Sequence, residues 1–301
     1  MKQQKYVAAV DIGGTNTRVA CIDENLTIIH RLSFKTDTQN PEEAVRKIVE
    51  AIAQLPHPVQ AIGVGSPGPI NLKEGILLSP PNLPGWWNYA LKDAIENASG
   101  VPCFVEGDAN LAGLAESVLG NGINHSICLF MTISTGIGGG LIIDKKVFQG
   151  AHGSATELAN SIVWSMGPQH GSLKVGAIEA ISSGTAIVNR AKNLGYDVEH
   201  AGQVTDLAKT GDVACTVIIE DAMEYLANLI AIIYGIIDPD IVVLGGSVAL
   251  KIEGFIENVE QRVKNKVYPH LSEYVKLVPA KLGDDSGLIG AGYLALSNIG
   301  N

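Results

Sequence analysis

The sequence predicts an α/β fold in which one pattern is written twice. Three observations carry that prediction: two runs of short apolar strands joined by glycine-rich turns, a helix–strand–helix order after each run, and glycines at matching points of the two halves.

Residues 5–12 (KYVAAVDI) alternate into an apolar run, the pattern of a strand. GGTN turns the chain, TRVACID continues as a second strand, Asp23-Glu24-Asn25 turns again, and LTIIHRLSF is a third. Asn40 then caps a helix with Pro41 at its first position and Glu43 completing a capping box. VQAIGVG (59–65) is a strand, 88–98 a helix, VPCFVE (101–106) a strand and 108–119 a helix. The grammar restarts at 126: SICLFMTI is a strand, STGIG a turn, GGLIID a strand, Asp144-Lys145-Lys146 a turn, and VF opens a third strand. A long helical stretch ends near Ile237, followed by a strand at 241–246, a helix at 254–267, a strand at 274–278 and a closing helix at 286–297.

Three antiparallel strands followed by αβαβα, twice over, describe the duplicated actin-like, ribonuclease H-like ATPase architecture, with two lobes around a central cleft. The boundary is expected near residue 117, giving lobes 1–117 and 118–285, with the C-terminal helix 286–301 returning to the first. An ordinary doubly wound sheet explains the alternation of strands and helices but not the repeated glycine hairpins.

Composition narrows the function. Of 301 residues, 46% are hydrophobic and only 17% charged, a lean surface that a second copy of the chain would cover, so a homodimer is expected. A formal charge of −10 speaks against a nucleic-acid or anionic-membrane partner, which requires a basic face. The most apolar stretch, 225–237, is too short to span a bilayer, and no apolar signal-peptide core follows the N-terminal lysines. Cys21, Cys103, Cys128 and Cys215 lie in or beside apolar segments without a C-x-x-C pair, as core thiols of a reducing, cytoplasmic protein do.

Glycine turns supply the chemistry. Asp11, Gly13, Gly14, Thr15 and Asn16 sit between two strands, where glycines let backbone N–H groups approach phosphate oxygens and Asp11 is placed to hold Mg²⁺ through water. Thr135 and Gly136 lie in the matching turn of the second half, and Gly245 and Gly246 end a strand where a nucleoside would pack. One such turn alone reads as a tight hairpin, but three at equivalent points read as phosphate binding. Gly63-Val-Gly65-Ser-Pro-Gly68 fits a dinucleotide fingerprint, yet Pro67 and Pro69 keep it from opening a helix. No G-x-x-x-x-G-K-[ST] loop is present. Asp108, between a strand and a helix, reads equally as an N-cap and as a base that takes a hydroxyl proton in phosphoryl transfer.

The chain resembles the ROK family of bacterial sugar kinases and sugar-responsive repressors. The resemblance is carried by DIGGTNTR, GVGSPGPI, NLPGW, EGDANLAGLAE, STGIGGGLI, IVVLGGS and DSGLIGAGYLA, in the family's order over nearly the whole chain. It implies ATP and Mg²⁺ as cofactors, a sugar as acceptor, and Asp108 as the base that activates the sugar 6-hydroxyl. It further implies that Glu157 and Glu179 accept hydrogen bonds from ring hydroxyls and that Gly68 and Asn82 lie in loops over the sugar.

The departures bear on substrate choice. Where the family has Asn before the catalytic Asp, this chain has Gly107, and where it has His three residues after the first Glu, Asn160 stands here. The family's C-x-C-G-x-x-G-C zinc run is matched by HGSLKVGA (170–177), which has no cysteine, so no structural zinc is expected and His152 and His170 read as loop histidines. A repressor carries a helix-turn-helix ahead of the DIGGT strand; with five residues before Tyr6 and a charge of −10, a kinase rather than a repressor is expected. A non-catalytic sugar sensor is the alternative that Gly107 and Asn160 support. Glucose, fructose, mannose and N-acetylated hexosamines all stand as candidate sugars.

Overall fold

The computed structural model describes residues 4–299; residues 1–3 of the expected first lobe and the last two of the expected C-terminal helix lie outside them. The chain forms two compact units. The first runs to Ala115 and takes in Val147–Ala155 and the chain from Leu282 onward; the second comprises Glu116–Lys146 and Thr156–Lys281.

In the first unit, strands β1 (Tyr6–Ile12), β2 (Asn16–Asp23) and β3 (Ile28–Lys35) are antiparallel neighbours. Helix α1 (Pro41–Ala53) follows, its buried face Ala44, Val45, Ile48 and Ala51 recurring at helical spacing. Asn40 caps it, accepting from the Glu43 amide at 3.2 Å. The expected capping box is only half made, because the Glu43 carboxylate turns outward to Arg46 at 2.6 and 2.8 Å. After β4 (Ile62–Ser66), the two-residue strands β5 (Ile70–Asn71), β6 (Ile76–Leu77) and β7 (Tyr89–Ala90) form a small antiparallel sheet. Helix α2 (Leu91–Ser99), β8 (Cys103–Gly107) and α3 (Asp108–Val118) complete the series.

The second unit repeats it with β9 (Ile127–Ile133), β10 (Ile137–Ile143) and β11 (Lys146–Val147). The third strand is shorter here than the sequence led us to expect. The Asp144–Lys145 turn before it has positive φ at both residues, and the Lys145 ammonium donates to the carbonyls of Ser117, Ile123 and His125. Helices α4 (Glu179–Ser182), α5 (Gly184–Asn193), α6 (Ala201–Lys209) and α7 (Val213–Ile237) precede β12 (Ile241–Gly245), α8 (Gly246–Lys251), α9 (Phe255–Lys264) and β13 (Leu277–Pro279). Helix α7 is the spine of this core, capped by Asp212 and ended by Asp238 in the left-handed region. The last helix, α10 (Ser286–Asn298), packs on the first sheet.

The two large sheets have the same strand order, β3-β2-β1-β4-β8 and β11-β10-β9-β12-β13. The repeat is the duplicated actin-like ATPase fold. Helix α10 approaches the first sheet so closely that a Cβ on Gly63 would fall 1.9 Å from the Ala291 carbonyl oxygen. Gly63 therefore answers to helix packing, which removes it from the dinucleotide fingerprint on structural grounds too. All four cysteines are buried and free, and burial pushes the Cys103 and Cys128 thiols up to about 12. Among the described residues no helix is long and apolar enough to cross a membrane.

Candidate functional site

In the first unit strands β1, β4 and β8 are parallel, so their carboxyl ends share one edge, where α/β proteins bind ligands. Asp11 pairs in register with Gly65, and Gly65 with Glu106. The candidate residues follow from this edge. Asp11 ends β1, Gly68 lies two residues past β4 beside the cis Gly68–Pro69 bond, and Gly107 ends β8 with Asp108 opening α3.

Asp11 Oδ2 accepts from Arg18 Nε at 3.0 Å and from its terminal nitrogen, and Arg18 also donates to the Asp284 carbonyl at 2.7 Å. Sequence reasoning assigned Arg18 no role, although it closes the DIGGTNTR motif. Glycines flank the Asp11 carboxylate: a Cβ on Gly287 would stand 3.2 Å from its Cγ, and one on Gly65 3.7 Å from Oδ1. Room beside a hard oxygen ligand fits Mg²⁺, which keeps most of its waters and takes few protein oxygens.

The β1–β2 turn is a tight hairpin in which the Gly13 amide donates to the Asn16 carbonyl at 3.0 Å. Gly13 therefore closes the turn, while Gly14, Thr15 and Asn16 form its exposed tip. Gly14 abuts the loop that carries Asn82, since a Cβ there would meet Asn82 Cβ at 3.1 Å. That loop is anchored by Trp86, whose indole N–H donates to the Asp37 carbonyl at 2.9 Å.

Asp108 is exposed, and its Oδ1 accepts from the Ala109 amide at 2.7 Å. Behind it stands Glu106, 1% exposed, which sequence reasoning passed over as an ordinary strand residue. Its Oε1 accepts from the Gly107 amide and from Asn110 Nδ2, both at 2.8 Å, and its Oε2 from Gln149 Nε2 at 2.7 Å. Asn110 Oδ1 is buried without a partner among the described residues.

The second unit gathers a separate set. Ser134, ahead of Thr135 and Gly136, donates its amide to the Gly136 carbonyl at 2.9 Å and accepts from the Gly184 amide at 2.7 Å. Its hydroxyl lies 3.3 Å from that of Ser247, just past Gly245 and Gly246. Gly246 has φ 84°, and a Cβ on it would fall 2.4 Å from the Ile133 carbonyl oxygen, so only glycine fits. Gly184, missed from sequence, opens α5 behind the N-cap Ser183; the Ser183-Gly184-Thr185 run was its signal.

Glu179 packs against the same turn: its Oε2 accepts from the Ile137 amide at 2.7 Å and lies 2.6 Å from where a Gly136 Cβ would be. Glu157 is set by β10. Thr156 Oγ1 donates to the Gly139 carbonyl at 3.1 Å, and Leu158 fills the space a Cβ on Gly139 would take. Glu157 keeps solvent access, yet partial burial raises its carboxyl above the usual range. Asn160 Oδ1 accepts from the Lys174 amide at 2.8 Å, so this side chain fastens the 166–176 loop. His170 meets Asn189 at 3.3 Å, and among the described residues no three or more His, Cys, Asp or Glu side chains gather as a metal site.

Comparison with known proteins identifies relatives of the whole chain. The profile of the ROK family matches residues 7–298. A glucokinase of Thermotoga maritima is 30% identical, with 97% of each chain covered. An N-acetylmannosamine kinase of Salmonella typhi is 32% identical, over 95% of this chain and 97% of that one. The structure of a ROK family glucokinase from Streptomyces griseus, in complex with glucose and AMPPNP, aligns with a TM-score of 0.78 at 28% identity, covering 97% of this chain and all of that one.

Proposed function

The chain belongs to the ROK family, and from that premise we propose that this ATP-dependent sugar kinase phosphorylates the 6-hydroxyl of a hexose or hexose derivative with Asp108 as general base. The observation that carries the reading is the position of Asp108, an exposed carboxylate just past the carboxyl end of β8, on the edge where the β1–β2 hairpin also ends. In the proposed reaction the Asp108 carboxylate takes the hydroxyl proton as that oxygen attacks the γ-phosphorus, and ADP leaves with the electrons of the broken P–O bond.

The other roles divide by unit. In the first, Gly14, Thr15 and Asn16 approach phosphate oxygens, Gly13 shapes their hairpin, Asp11 holds Mg²⁺ through water, and Gly68 and Asn82 border the sugar. Bound Mg²⁺ supplies positive charge against the transferring phosphates. In the second, Thr135, Gly136, Gly245 and Gly246 serve the nucleotide, and Glu157 and Glu179 accept from sugar hydroxyls. The reading takes the two lobes as 1–117 with 286–301, and 118–285. It includes a homodimer, supported by the exposed apolar side chains Met166, Ile232 and Ile236, and a cytoplasmic setting, supported by four free buried thiols.

The relatives are named for two different sugars, so the acceptor is settled by assay. ADP release from ATP and Mg²⁺ over a panel of glucose, mannose, fructose and N-acetylmannosamine tests the proposal; phosphorylation of one or more of them is the expected result. A sensor that binds sugar without turnover is the second reading, favoured by Asn160 being committed to the 166–176 loop. Saturable sugar binding with no ADP release would establish it.

A further inference from the structure

We propose that Gln149 is a sugar-contacting, specificity-determining residue beside Asp108; the inference rests on the sugar-kinase reading above. Gln149 lies in Val147–Ala155, the segment that groups with the first unit although the second flanks it in sequence. Its backbone is fixed without its side chain. The Gln149 carbonyl accepts from the Ala155 amide at 3.1 Å, and the segment packs on Leu72, whose Cδ1 would lie 3.5 Å from a Cβ on Gly153.

The side chain of this exposed residue nonetheless reaches a buried carboxylate, with Nε2 donating to Glu106 Oε2 at 2.7 Å. The other oxygen of Glu106 holds the Gly107 amide at 2.8 Å, and Asp108 follows directly. One carboxylate thus ties the end of β8 and the Gln149 carboxamide together. A carboxamide has two N–H donors and an acceptor oxygen, and Glu106 uses a single N–H. An acceptor and a donor stay available, in an orientation fixed before any ligand arrives, which lowers the ordering cost of binding. Gly107 has no side chain to offer there. Gln149 therefore supplies a polar group at this strand end, on the Glu106 oxygen opposite the one that holds Asn110.

Steady-state kinetics of Gln149→Ala and of Gln149→Met, which keeps the length, test this on the sugar the unmodified protein uses best. Both variants are expected to raise the KM for sugar about tenfold, the loss of one well-made hydrogen bond, with the KM for ATP within about twofold. Among mono-deoxy analogues of that sugar, the one lacking the contacted hydroxyl is expected to show no difference between Gln149→Ala and unmodified protein. A sugar KM within about twofold in both variants, or a penalty equal for every analogue, overturns the inference and leaves the kinase reading standing. An unmodified protein that neither binds nor phosphorylates any sugar of the panel overturns both.

Discussion

Asn160 Oδ1 accepts the Lys174 amide across 14 residues at 2.8 Å. The loop so pinned also carries Val163 N–H to the Gly176 carbonyl at 3.0 Å and Gly176 N–H to the Pro168 carbonyl at 2.9 Å. Trp164 stacks on Tyr225 with ring centroids 4.8 Å apart. The loop is thus closed by its own hydrogen bonds and by α7.

Trypsin reads the Asn160 tie directly, because Lys174 is a cleavage site. Asn160→Ala removes an interaction worth about 0.5–1.5 kcal/mol, so cleavage after Lys174 is expected to speed up by roughly 2–10-fold. Mass spectrometry of timed digests measures it. An unchanged rate would show that the backbone hydrogen bonds of Gly176 and the stacked Trp164 hold the loop without Asn160.

The same contacts predict indifference to zinc chelation. A strong chelator is expected to leave Tm unchanged, and metal analysis of the purified protein to find no stoichiometric zinc. Turnover is expected to stop when Mg²⁺ is omitted. One tightly held zinc per chain would refute the first half.

Glu157 gives a pH signature. Its carboxyl is raised by partial burial, so the folded state favours the protonated form. Any stabilisation from that preference is full below the unfolded value near 4.3 and is lost as pH rises through the folded one. Glu157→Gln is neutral at every pH. Its Tm is expected to match that of the unmodified protein near pH 4, to exceed it as pH rises through the folded value and to level off above it, while sugar affinity falls. A Tm difference of opposite sign at pH 7 would mean that the ionised carboxylate has stabilising partners.

The parts of the fold legible in the sequence are those where period and turn chemistry agree. Strands β1, β2, β9 and β10 are apolar runs that flank glycine turns, and the Asn40-Pro41 start of α1 is written in two adjacent residues. The β5–β7 sheet was not legible, because strands of two residues have no period. Helix α8 was missed because Gly246 follows β12 without a linker, its φ of 84° turning strand into helix in one step. At the site, the glycine turns and Asp108 stood out by spacing. Glu106 did not, since a buried carboxylate held by neutral donors leaves no charge partner to notice. Gln149 lies 43 residues from Glu106 and reaches it only through the fold.

Gly246 and Gly235 separate structural from permissive glycines. Gly246→Ala forces a left-handed φ on alanine and a clash with the Ile133 carbonyl, so it is expected to cost about 1–3 kcal/mol or more and to raise the KM for ATP. Gly235→Ala meets nothing within 4 Å on α7 and is expected to be neutral or to stabilise by up to about 1 kcal/mol. Denaturant midpoints and ATP kinetics of the pair check this. Equal effects would remove the argument from the β12–α8 turn.

Asp108→Asn is the most direct test of the base. Asparagine keeps the shape and still accepts from the Ala109 amide, now made at 2.7 Å, so the start of α3 is preserved. What it loses is the capacity to take a proton, and general-base removal typically costs 10²–10⁴ in rate. The kcat is therefore expected to fall by at least about 10²-fold. The KM for ATP is expected to change little, because Asp108 has no part in the proposed nucleotide contacts. The decisive pairing is kcat with Tm: a large fall in kcat at an unchanged Tm identifies proton transfer. If the variant keeps near-normal turnover, Asp108 only shapes the helix start, and the base must be sought among the other carboxylates.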